Sequence, residues 1–166
     1  MFRDGTARVL VFRVGSERFA VSLPAIAEVV ESPELQRMPD APEHVRGVAT
    51  LRGELLSVYD PLALLGVSGD GASSNVPRDS RAETEWVKGA TLVFKRGGGH
   101  CIGLAVDDVY DAITIGQSEL RGVPGSDGSD GALMGLVLRG SDLIGVLDVR
   151  ALLDGVLAAT PGDETT

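Results

Sequence analysis

Residues 17–23 alternate with a period of two: Phe19, Val21 and Leu23 share one face, Arg18, Ala20 and Ser22 the other. Such alternation predicts a strand with one buried face. Ile102-Gly103-Leu104-Ala105-Val106 alternates large with small residues in the same phase. Apolar runs over 9–14 and 91–95 precede these strands across Gly15-Ser16 and Gly97-Gly98-Gly99, so each half of the chain predicts a hairpin. Residues 55–59 and 143–147 supply further β-rich runs after Arg-Gly turns. Many short strands with Gly and Pro between them predict a mainly β fold of small barrels or a sandwich. Helix is scarce. Asp60 before Pro61, and Asp148 before residues 149–153, have N-cap chemistry, and a short turn is expected at Pro42–Val45.

The same pattern occurs twice. Leu10-Val11-Phe12 recurs as Leu92-Val93-Phe94, 82 residues on, and Leu35 to Pro39 recurs loosely as Leu120 to Pro124, 85 on. Leu51-Arg52-Gly53 aligns with Leu138-Arg139-Gly140, and Asp60 with Ala63-Leu64-Leu65 aligns with Asp148 and Ala151-Leu152-Leu153. A spacing that drifts slowly from 82 to 88 is expected of one supersecondary unit built twice, with small loop insertions in the second copy. Two similar units leave a seam between them, where another protein can bind. Val67 to Glu85 and Gly125 to Gly131 lack apolar periodicity and read as flexible loops.

Composition narrows the function classes. A chain of 166 residues buries enough surface to fold without disulfide or metal. One cysteine, Cys101, precludes an intrachain disulfide and fits a reducing compartment. There is no apolar signal-like segment at the start and no run of about 20 apolar residues, so a cytoplasmic location is expected. A net charge of −9 argues against nucleic acid. The basic residues Arg13, Arg18 and Lys95-Arg96 read as solvated strand edges.

Catalytic chemistry finds little support. His100 and Cys101 are neighbours on a strand, which sends their side chains to opposite faces and prevents a nucleophile–base pair. Asp127 and Asp130 lack the alternating ligand pattern of a calcium loop. Asp107, Asp108 and Asp111 read as a solvated hairpin end, and zinc would require more Cys and His. Gly97-Gly98-Gly99 has no phosphate-loop sequence behind it. No cofactor is expected. Glu28 and Arg52 stand out as charges between apolar strands, yet on an open surface such a pair contributes only about 0–1 kcal/mol.

Leu10-Val11-Phe12, Phe19-Ala20-Val21, Val29-Val30, Leu35 to Pro39, Gly47-Val48, Leu51-Arg52-Gly53, Val58-Tyr59-Asp60 and Leu64-Leu65-Gly66 occur in an order that resembles the CheW-like domain. The resemblance spans 8–157, as copies at about 8–66 and 87–157 joined by a flexible loop 67–85, with 158–166 as a tail. Whether strands pass between the copies stays open. Thr50 stands where an Asn is usual, and Pro61 where a Leu is usual. The resemblance implies two five-stranded SH3-like barrels packed together and a non-enzymatic adaptor role. Its partners would be a methyl-accepting chemoreceptor signalling domain and the regulatory domain of a CheA-type histidine kinase, met at receptor arrays on the inner face of the membrane. By the same resemblance Ile26, Glu28, Gly47, Arg52, Gly53, Val109 and Ala112 would contact the receptor, while the kinase contact stays unassigned. The rival class is a small β-barrel enzyme or ligand-binding protein with a polar pocket.

Overall fold

The computed structural model describes residues 2–31, 33–40, 44–65, 89–123 and 132–159. The predicted loops at 67–85 and 125–131, residues 160–166 of the predicted tail and half of the turn at 42–45 lie outside the described residues. In the first half come β1 (Thr6–Val14), β2 (Glu17–Ser22), a 3₁₀ turn at Leu23–Ala25, β3 (Glu28–Glu31), β4 (Val45–Leu51), β5 (Glu54–Tyr59) and helix α1 (Pro61–Leu64). The second half holds β6 (Ala90–Gly97), β7 (His100–Val106), β8 (Asp108–Gly116), a 3₁₀ turn at Gln117–Glu119, β9 (Leu133–Arg139), β10 (Asp142–Leu147) and helix α2 (Val149–Ala159). Both helices start on the expected cap. Asp60 Oδ1 accepts from the Leu62 N–H at 3.0 Å, and Asp148 Oδ1 from the Arg150 and Ala151 N–H groups. α2 runs well past Leu153, where the sequence reading ended it.

The strands form two five-stranded sheets, ordered β8-β1-β2-β10-β9 and β3-β6-β7-β5-β4. Adding or subtracting five from each strand number turns one order into the other. Each sheet is therefore assembled from both halves of the chain, two strands from one and three from the other. The fold is mainly β with two SH3-like subdomains.

Alternation then distributes the side chains among three apolar clusters. Val9 and Val11 of β1 fill the first barrel with Ala20, Ile115, Val137, Ile144 and Val146. Leu56, Val58, Val93 and Cys101 fill the second. The opposite faces of the same strands meet in a central cluster: Leu10, Phe12, Val14, Phe19 and Val21 from one sheet, Tyr59, Leu92, Phe94, Ile102 and Leu104 from the other. Strands buried on both faces explain the unbroken Leu-Val-Phe runs. At about 1.5–3 kcal/mol per buried large apolar side chain, this central cluster is what binds the barrels to each other.

Register corrects one alignment. Val58 pairs with Gly47 and Tyr59 with Val45 across a bulge; Val146 pairs with Gly135 and Leu147 with Leu133 across the same bulge. A uniform 88-residue spacing therefore relates the two hairpins, and the matching of Leu51-Arg52-Gly53 to Leu138-Arg139-Gly140 is out by one residue. Arg52 corresponds to Gly140, and Leu51 to Arg139. One residue is the step that exchanges the two faces of a strand, so Arg139 plays a different part: it pairs with Glu119 at 3.0 Å and donates to the Thr114 carbonyl.

Candidate functional site

The expected contact residues fall into two sets, one packed on the central cluster and one at the end of the second barrel. Ile26 follows the 3₁₀ turn, its N–H bonded to the Leu23 carbonyl at 3.1 Å. Its side chain packs, partly buried, on the central cluster. Val109 and Ala112 of the edge strand β8 pack on that cluster too, because they stand opposite Phe12 and Leu10 of β1. These three residues thus border the seam between the sheets, from both sheets.

Glu28 and Arg52 lie towards the end of the second barrel. Glu28 stands opposite Val93, so its side chain shares the barrel-facing side of the sheet. Arg52 Nη1 donates to Glu28 Oε2 at 2.7 Å. The carboxylate is 22% exposed and the guanidinium 75%, so one partner is seated and the other reaches into solvent. Beside them Lys95 Nζ pairs with Glu54 Oε1 at 3.2 Å, and Cys101 Sγ donates to that same oxygen at 2.9 Å. The Cys101 hydrogen bond, then Lys95, hold Glu54 below the usual carboxylate range. Burial first, then Glu54, pushes the Cys101 thiol up. A thiol held protonated is a poor nucleophile, and His100 is exposed on the other face of β7.

The backbone at Arg52 is unusual. Arg52 has φ +51° and Gly53 +81°, both in the left-handed region that a type I′ hairpin turn requires. At the corresponding turn Gly140 has φ +60° while Ser141 is not in that region, which makes a type II′ turn. The second copy thus places glycine where the first carries arginine. A non-glycine residue there costs roughly 1 kcal/mol, so the guanidinium is kept at the expense of local strain.

Gly47 and Gly53 have backbone roles. A Cβ on Gly47 would sit 2.8 Å from the Gln36 carbonyl oxygen, because the segment through Leu35 and Gln36 bridges directly onto β4. Gly135 repeats this in the second copy, with the Arg121 carbonyl at 2.6 Å. Repetition in both barrels marks Gly47 as a requirement of the architecture. Gly53 faces open space and serves the turn.

Some charged residues read as solvated have partners. Arg13 pairs with Asp108 at 3.2 Å, and Asp107 accepts from the Gly15 N–H at 2.6 Å, fixing the β1–β2 turn. Arg18 pairs with Asp142 at 2.7 Å and lies 4.8 Å above the Tyr110 ring. Sequence reasoning passed over Val29, which stands opposite Leu92 on the seam side of β3 yet is 44% exposed. Period two across Glu28-Val29-Val30 would have exposed it, since Glu28 and Val29 must face opposite ways. Among the described residues no group of His, Cys, Asp and Glu is arranged to hold a metal ion, and no helix is long and apolar enough to cross a membrane.

Comparison with known proteins agrees with this architecture. The chain is 29% identical to the chemotaxis protein CheW of Rhizobium meliloti over 73% of its length and 69% of that protein's. It is 24% identical to the chemotaxis protein CheW of Bacillus subtilis over 89% and 86%. The crystal structure of the scaffolding protein TtCheW from Thermoanaerobacter tengcongensis superposes with a TM-score of 0.68 at 20% identity, over 90% of this chain and 89% of that one, and so shares the fold. Residues 8–156 match the family model of the CheW-like domain, and the chain belongs to the CheW-like domain family.

Proposed function

We propose that the protein is a non-enzymatic chemotaxis adaptor whose inter-barrel seam receives the helical tip of a chemoreceptor, and which joins that tip to the regulatory domain of a CheA-type histidine kinase. The family supports the scaffold class, and the relatives named above are chemotaxis proteins. The observation that carries the receptor assignment is the edge strand β3, which turns the exposed Val29 towards the seam and on its other face seats Glu28 against the exposed Arg52 guanidinium, kept on a strained turn where the duplicate copy uses glycine. On this reading Ile26, Val29, Val109 and Ala112 bury apolar receptor side chains and give affinity. Glu28 and Arg52 fix register and partner choice. The adaptor acts by raising the effective concentration of receptor and kinase for each other and by biasing the kinase between states. It would work in the cytoplasm, at receptor arrays on the inner face of the membrane.

The test is co-sedimentation with a cognate receptor signalling domain and a CheA-type kinase, with ATP turnover followed in parallel. The proposal expects all three in one particle with an altered kinase rate; association with neither partner would end it.

A further inference from the structure

The two sheets differ at one corresponding place. β5 and β7 pair in parallel from Leu55↔His100 to Tyr59↔Leu104, and the Leu55 N–H bonds to Gly99 just beyond. β10 and β2 pair only from Ile144↔Arg18 to Val146↔Ala20. Short of Ile144 and Arg18 the first sheet opens, leaving a groove of about 380 Å³ between the start of β2 and the β9–β10 hairpin. Its lining includes Phe19, Leu133, Leu136 and Leu143, with Gly145 contributing no side chain between Phe19 and Leu136. Leu143 and Leu138 stand opposite each other across the hairpin, 56% and 59% exposed. In the second sheet the position of Leu138 is held by Thr50, so the apolar pair belongs to the first sheet alone.

The rim is acidic. Glu17 is exposed and has no ion-pair partner among the described residues, while Asp142 and Arg18 neutralise each other. Arg18 is committed a second time, to the Tyr110 ring. Carboxylate is therefore in excess beside an apolar floor. A second copy of a chain with net charge −9 is a poor occupant. We propose that this groove docks a segment of a partner protein presenting a large aliphatic side chain next to a Lys or Arg. The aliphatic group covers Leu143 and Leu138, and the cation meets Glu17. This surface involves a different hairpin from Arg52 and does not depend on the receptor assignment.

Two acetylated tripeptide amides, Leu-Arg-Leu and Leu-Glu-Leu, test it by amide chemical-shift titration of the whole chain. Leu-Arg-Leu should give saturable shifts at Phe19, Leu143 and Gly145, with Leu-Glu-Leu bound roughly two- to fivefold more weakly, as one exposed ion pair allows. Glu17→Gln should erase that difference, and Leu143→Ser, at an exposed position that the fold does not need, should abolish the shifts. Arg52→Gly should change none of this. Equal binding of both peptides, or no saturable shifts at those amides, would overturn the proposal. So would concentration-dependent shifts there without peptide, which would give the face to self-association.

Discussion

Arg52→Gly separates a recognition role from a structural one. Three terms act on stability. Loss of the Glu28 pair costs about 0–1 kcal/mol, towards the lower end because the guanidinium is 75% exposed. Glycine at φ +51° relieves roughly 1 kcal/mol of left-handed strain. The freer unfolded chain takes back roughly 0.4–1 kcal/mol. The sum lies within about 1 kcal/mol of zero, or a Tm change of no more than about 4 °C for a chain of this size. Binding is another matter, since a hydrogen bond to a charged group at a desolvated contact contributes about 1.5–3 kcal/mol. Calorimetric titration with a receptor signalling fragment should then show Kd weakened roughly tenfold to a hundredfold. A Tm loss well beyond 4 °C would make Arg52 a structural residue, and an unchanged Kd would remove it from the receptor contact.

Further substitutions probe the architecture. Thr91 is fully buried, its Oγ1 has no hydrogen-bond partner among the described residues, and the matching residue in the first barrel is Val9. Thr91→Val should stabilise by about 1–3 kcal/mol, read as a higher urea midpoint at unchanged m. Gly135→Ala, like Gly47→Ala, forces a Cβ against a carbonyl and should lower the melting temperature even though Gly135 is not a proposed contact residue. Phe12→Ala opens the central cluster and should cost about 3–5 kcal/mol by denaturant unfolding. Glu119 is held below the usual carboxylate value of 4.5 by the Gly116 N–H and then by Arg139. A depressed folded pKa means its contribution is present above the unfolded pKa and lost as pH falls through the folded one. Glu119→Gln should therefore flatten the stability–pH curve below about pH 4.5, with little effect on the slope above it.

Much of the fold was legible because strand signals are local. Period-two patterning found the β1–β2 and β6–β7 hairpins, and the Asp caps located both helix starts. Partnership between strands is not local, so the division of each sheet between the two halves of the chain could not be read. The repeat alignment slipped for a physical reason: Leu-Arg-Gly occurs twice as letters, but a type I′ turn in one copy and a type II′ turn in the other shift the tripeptide by one residue. The Glu28–Arg52 contact was legible as two isolated charges near turns. Only the register of β3 on β6 sets Glu28 and Val29 on opposite faces, one towards Arg52 and one towards the seam.

On the proposed function, a partner helix lies across the seam between the two sheets. Methyl spectra of the protein with and without a chemoreceptor signalling fragment test it most directly. Shifts are expected for Ile26, Val29, Val109 and Ala112, with the barrel-interior methyls of Val58, Val137 and Val146 unmoved. Shifts confined to Leu138 and Leu143 on the β9–β10 hairpin, with the seam methyls silent, would contradict it.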